Sequence, residues 1–185
     1  MTERNDKEIL KDFENPSLSN SAFNEIVNKY KVKLYWHIRK LLVNHDDTDD
    51  VLQNTFIKAW KGLNTFQKES KLYTWLYRIA TNECITFLQN KKKKYFVNVD
   101  EVNSEFSVQL ESDTYFDGDK AQLILQSAIQ TLPVKQKLVF NMRYFDEMPY
   151  DEMSKILNTS ESALKASYHF AVKKIEEHGY SVCTY

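Results

Sequence analysis

An all-α protein, built as two small helical domains joined by an acidic linker, is the fold class this sequence predicts, and three observations carry the prediction. Only 3 Gly and 3 Pro stand among 185 residues, too few chain breakers for the turns of a β-sandwich or barrel. Hydrophobic residues make up 42% of the chain, enough for one medium core or two small ones. They recur at helical steps of three and four on either side of a charged, aperiodic stretch.

A short helical segment around residues 6–13 comes first. Ser19, Asn20 and Ser21 offer caps for a long helix whose apolar positions are Phe23, Val27, Tyr30, Leu34, Ile38 and Leu41, a single stripe. Asp46, Asp47, Thr48, Asp49 and Asp50 open the next helix, where carboxylates suit the positive N-terminal pole, and Leu52, Phe56, Ala59 and Leu63 continue its buried face. Residues 66–70 form a loop. A third helix from Lys71 buries Leu72, Trp75, Leu76, Ile79 and Ala80 and turns Thr74, Tyr77, Arg78, Thr81 and Ile85 outward.

Farther on, Ala121, Leu125, Ala128 and Leu132 mark a helix stopped by Pro133, and Leu138, Val139 and Met142 line another over 134–145. Met148 and Pro149 break the chain before a helix at 150–157. Asn158 and Thr159 then turn it, and Ser160 caps a last helix carrying Leu164, Tyr168, Ala171 and Ile175. Helix, tight turn and helix fit a DNA-binding pair, and equally an ordinary helical hairpin.

The net charge of −1 conceals a division along the chain. Residues 21–96 hold 14 Lys and Arg against 7 Asp and Glu, a balance of +7. Residues 97–120 hold 1 against 7, a balance of −6, and their apolar residues follow no period, so they read as a linker. Residues 121–185 are neutral, and residues 1–20 carry −2. A basic body fits a polyanion partner or a solvated face, and Lys91 to Lys94 fit a phosphate contact or a helix end favouring cations.

Catalysis finds no support. His37, His45, His169 and His178 are dispersed, no nucleophile, base and orienter group together, and no Gly-rich phosphate loop occurs. Neither a metal site nor a cofactor is expected, since Cys84 and Cys183 stand far apart and form no paired motif. The N-terminal residues lack the apolar core of a signal peptide, and no apolar run approaches a membrane span. A cytoplasmic protein that does not insert in a membrane is expected.

Three motifs in order resemble one family. Asp47-Thr48-Asp49-Asp50-Val51-Leu52-Gln53-Asn54-Thr55-Phe56-Ile57-Lys58-Ala59-Trp60 is similar to a polymerase-clamp helix, and Leu72-Tyr73-Thr74-Trp75-Leu76-Tyr77-Arg78-Ile79-Ala80-Thr81-Asn82 to a helix that reads the minus-ten promoter element. Leu132-Pro133-Val134-Lys135-Gln136-Lys137 through Ser160-Glu161-Ser162-Ala163-Leu164-Lys165 is similar to the helix-turn-helix domain that reads the minus-thirty-five element. The chain thus resembles the extracytoplasmic-function (ECF) sigma factors of the sigma-70 family, two-domain specificity subunits of bacterial RNA polymerase.

The resemblance implies domains at 1–96 (sigma domain 2) and 121–185 (sigma domain 4), with 97–120 as the acidic linker, either a tether or a strap in the polymerase channels. It implies core polymerase and promoter DNA as partners, an anti-sigma protein that holds the chain inactive, no enzymatic activity, and a place at the nucleoid through polymerase. Asp49, Asp50, Gln53, Asn54, Phe56 and Lys58 would meet the polymerase; Asn54 stands where the family often carries an acid. Phe66, Gln67, Lys68, Ser70, Lys71, Thr74, Tyr77, Arg78 and Asn82 would hold melted minus-ten DNA. Unstacked bases gain about 1–3 kcal/mol each on aromatic faces while cations hold the phosphates. Arg143, Ser160, Ser162, Lys165, Ala166, His169 and Lys173 would face duplex DNA at minus thirty-five, although Ser167, Phe170 and Val172 replace the usual arginines. Two other classes compete: a stand-alone helix-turn-helix regulator, which would bind duplex DNA without polymerase, and a helical interaction module, which would show no salt-dependent DNA binding.

Overall fold

The computed structural model describes residues 4–66, 70–94 and 120–183. The 97–120 linker, apart from Lys120, and the loop residues Gln67 and Lys68 lie outside the described residues. The described residues form α-helices and one 3-10 turn, with no strand among them, so the chain is all-α.

The first group of helices follows the sequence pattern, except that the long second helix begins at Ser19 behind Leu18 with no side-chain cap, the Ser19 hydroxyl donating instead to the Pro16 carbonyl at 3.2 Å. Helix α1 (Asp6–Phe13) is capped by Asn5, whose side chain accepts from the Lys7 N–H at 3.2 Å, and it lays Ile9, Leu10 and Phe13 on α2 (Ser19–Leu42). The two-residue link Val43-Asn44 folds α3 (His45–Gly62) back against α2. The Asn44 side chain accepts from the Asp47 N–H at 2.9 Å, and Asp46 and Asp47 occupy the first turn, where carboxylates offset the helix dipole. A 3-10 turn (Leu63–Thr65) leads toward α4 (Leu72–Lys94), which packs on both α2 and α3.

In the second group, α5 (Lys120–Thr131) is followed by Pro133, the N-cap of α6 (Val134–Tyr144), where its fixed φ of −55° suits entry into a helix. Pro149 does the same for α7 (Tyr150–Leu157). Asn158, at φ 48° and ψ 49°, is the left-handed residue that turns the chain, and the Ser160 hydroxyl accepts from the Ala163 N–H at 3.3 Å to cap α8 (Glu161–Cys183). Helices α5, α6 and α7 all pack on α8.

The two groups touch. Helix α6 lies on α2 and α7 on α4, and one apolar core runs from Ile26, Leu34, Ile38 and Leu76 to Leu138, Met142 and Met153. A smaller cluster of Ile129, Leu132, Phe140 and Ala171 belongs to the second group alone. This contact corrects the reading of α4. Periodicity turned Thr74, Tyr77, Thr81 and Ile85 outward, whereas the first three are buried and Ile85 is half-buried. With α2, α3 and α7 all against α4, both flanks of its apolar stripe are covered, and only Arg78, Asn82 and a few neighbours remain exposed.

Candidate nucleic-acid interface

Three surfaces hold the residues that the sequence singled out. On α3, Asp49, Asp50, Gln53, Asn54 and Lys58 are exposed along one side, with Phe56 half-buried beneath them. Asp49 lies 3.3 Å from His45 Nδ1, and Lys58 pairs with Glu83 of α4. Next to this polar row runs an apolar groove lined by Phe23, Gln53, Phe56, Ile57 and Trp60, in which the Trp60 ring meets Phe13 and Phe23 edge-on at 5.3 and 5.0 Å. A second groove between α2 and α3 exposes Val32 and Trp36. The exposed Ile57 and Trp60 were missed as surface residues. Their spacing from Gln53, at four and seven residues, was the available signal.

The second surface is the start of α4. Phe66 packs against Trp75 with ring centroids 5.1 Å apart, and Ser70 is half-buried. Lys71 is exposed and pairs with Glu152 of α7 at 2.8 Å, which holds its ammonium above the ordinary value. Arg78 and Asn82 face solvent. Thr74 and Tyr77, expected to reach DNA, are instead enclosed, and Tyr77 is only 1% exposed. The Tyr77 hydroxyl donates to Asp146 of the second group, and burial, with Asp146 beside it, raises its pKa far enough to keep that proton in place. The half-buried Tyr73 ring lies tilted against Tyr77 with centroids 5.0 Å apart, and burial pushes its pKa up to about 12.

The third surface is the outer side of α7 and α8. Ser162, Lys165, Ala166, His169 and Lys173 are all exposed, at helical spacings that place them on one side of α8. Ser160 spends its hydroxyl on the cap. Lys165 lies 3.8 Å from Glu161 and 5.5 Å from the centre of the Tyr150 ring, while Arg143 donates to the Met148 carbonyl at 3.3 Å and sits 5.3 Å from the centre of the same ring. The helix N-terminus and this short cationic row suit a phosphate backbone with base edges beside it. Phe170 is 55% exposed next to His169, an apolar group in place of the arginine that the resemblance implies.

Comparison with known proteins settles the family. The description "Sigma-70 region 2" matches residues 26–94, and "Sigma-70, region 4" matches residues 122–175. The chain is 31% identical over 156 residues to the ECF RNA polymerase sigma factor SigW of Bacillus subtilis strain 168, covering 80% of this chain and 83% of that one. The chain belongs to the ECF sigma factors. A further relative of this sigma factor is the ECF RNA polymerase sigma-E factor of Haemophilus influenzae, 26% identical over 163 residues, with 84% and 86% covered. Its fold is shared by CnrH, solved with the cytosolic domain of CnrY (TM-score 0.66, 21% identity, 93% and 95% covered). It is shared also by RpoE of Bartonella quintana, solved with the anti-sigma factor NepR (TM-score 0.65, 17% identity, 84% and 95% covered). As a sigma factor the chain directs core RNA polymerase to specific promoters and starts DNA-templated transcription. No described helix is long and apolar enough to cross a membrane, and the described residues hold no cluster of metal-ligating side chains.

Proposed function

We propose that this sigma factor divides promoter recognition between residues 1–96 and 121–185, joined by the acidic strap at 97–120. The observation that carries this reading is the exposed row Ser162, Lys165, Ala166, His169 and Lys173 on a capped helix that follows a tight turn. That row enters the major groove at the minus-thirty-five element, with Arg143 as a flanking phosphate contact. The polar side of α3, from Asp49 to Lys58 with Ile57 and Trp60 beside it, docks on the polymerase clamp. Phe66, Gln67, Lys68, Ser70, Lys71, Arg78 and Asn82 hold the melted minus-ten strand, aromatic and polar groups taking bases and cations taking phosphates.

The chain does no chemistry itself; polymerase forms the phosphodiester bonds. It acts in the cytoplasm, at the nucleoid through polymerase, and an anti-sigma protein holds it in reserve. A solved protein of the same fold, RpoE of Bartonella quintana, was captured with an anti-sigma factor, which supports this last part. Mixing the purified protein with core polymerase and genomic DNA, then mapping transcript starts, tests the assignment. Starts that cluster behind one pair of sequence elements are expected. Normal polymerase binding with no sequence-selective start would overturn it.

A further inference from the structure

We infer that Ala166 and Phe170 form an apolar reading surface on α8 that selects thymine in the minus-thirty-five element by its C5-methyl group; the inference rests on the duplex-reading role proposed for α8 above. Phe170 is 55% exposed, and the packing of α8 does not call for it. Leu164, Tyr168, Ala171, Val172 and Ile175 supply the inner side of the helix and join the apolar clusters beneath it. The helical repeat sets Phe170 on the outer side. There Ser162, Ala166 and Phe170 follow one another at steps of four, all exposed, so a hydroxyl, a methyl and a phenyl group share one row.

What such a row recognises follows from the base edges. In the major groove guanine offers two acceptors, adenine an acceptor and a donor, cytosine a donor, and thymine an acceptor and a methyl group. That methyl is the apolar feature of the groove floor. A phenyl ring laid on any other edge displaces water from a donor or acceptor and returns no hydrogen bond, so the ring rejects the other bases as well as attracting thymine. Helix α8 holds no arginine from Glu161 to Cys183, so the bidentate pairing of a guanidinium with guanine is missing from it. Selection along the Ala166 and Phe170 side therefore falls on thymine. Charge decides between DNA and an apolar partner protein as the occupant. The neighbours of Phe170 one turn away are Ala166, Ser167, Lys173 and Lys174, and both lysines are exposed. Lys173 lies 3.9 Å from the exposed Glu177, a weak tie that a phosphate can replace. One ring and one methyl make a small patch for a protein interface, whereas ammonium groups at this spacing hold phosphates while the ring meets a base edge.

The test uses holoenzyme assembled from core polymerase and the full chain. Duplexes with a randomised upstream element are selected by binding, and thymine should be enriched at one or two neighbouring positions. Replacing those thymines by uracil removes the methyl groups and leaves every hydrogen-bonding atom in place. Wild-type affinity should fall about fourfold per methyl, equivalent to about 0.8 kcal/mol for one buried carbon group. Phe170→Ala, which removes an exposed ring, should leave the melting temperature unchanged and bind the thymine and uracil duplexes nearly alike. Phe170→Arg should shift the selected base toward guanine. A defined element without thymine, or equal wild-type affinity for thymine and uracil, would overturn this inference alone and leave the duplex-reading role of α8 in place. Discrimination that persists undiminished in Phe170→Ala would also overturn it. Selection of no element at all would overturn both.

Discussion

Lys165 sits in the open on α8, 3.8 Å from Glu161, an exposed pair of the kind that contributes little to stability. A phosphate can therefore replace Glu161 readily. Lys165→Ala should leave the melting temperature unchanged, weaken promoter binding by the holoenzyme, and reduce the slope of log affinity against log salt by about 1. Gel-shift titrations at several salt concentrations read the slope; a relaxed base preference with no change of slope would make Lys165 a base contact instead. Tyr77 is the opposite case. Its type suited base stacking and its period suited an outer face, yet a neighbour 69 residues away in sequence, Asp146, takes its hydroxyl. Nothing local to residue 77 announces that partner.

Among the elements, α3 was legible in its place and in part of its packing. Aspartates mark its start as expected, although the cap itself is Asn44, and its deepest residues are Thr48, Val51, Thr55 and Ala59, with Leu52 and Phe56 of the expected stripe only half-buried. Its exposed side keeps Gln53 and Asn54 free of core duties, so replacing both with Ala should spare the fold. Loss of two polar contacts at net values near 1 kcal/mol each predicts a drop of about tenfold or more in core-polymerase affinity, readable by fluorescence anisotropy. A chain that melts early would show these residues to be structural. Helix α8 was equally readable, since the Ser160 cap and the left-handed Asn158 both follow from residue type. Helix α4 was not. A single stripe of apolar residues suggests one covered side, whereas three packing helices cover this one.

At the scale of the molecule, the contact between the two helical groups makes stability depend on pH. His37 has its pKa lowered, chiefly because burial disfavours its cation and secondarily by Lys40, against an opposing pull from Asp146; the Tyr77 ring lies tilted against it with centroids 4.0 Å apart. Burial alone would raise the Asp146 carboxyl, but the His37 ring 3.7 Å away and the hydrogen bonds from Lys40 and Tyr77 outweigh it and hold the pKa below its ordinary value. Both groups take up protons more readily when unfolded, so stability falls as pH falls. The His37 part goes first, below about 6.5, and the Asp146 part only below about 4. Urea unfolding should therefore show a loss between pH 7.5 and 5.5 of up to about 1.4 kcal/mol per pH unit, and His37→Gln should flatten that window. An unchanged slope in the variant would assign it to other groups.

The sequence by itself determined the helices, the Ser160 cap, the helix-turn-helix order and the family, because each depends on residues close together in the chain or on motifs of fixed spacing. It also determined which residues on α3 and α8 stay polar and exposed. Only the tertiary structure decided that the two helical groups lie against each other, that Tyr77 and Thr74 turn inward, and that Asp146 becomes a buried junction. The reason is physical: a seam between bodies joins residues about 70 to 110 positions apart through a few polar bonds, and such bonds impose no period on the sequence.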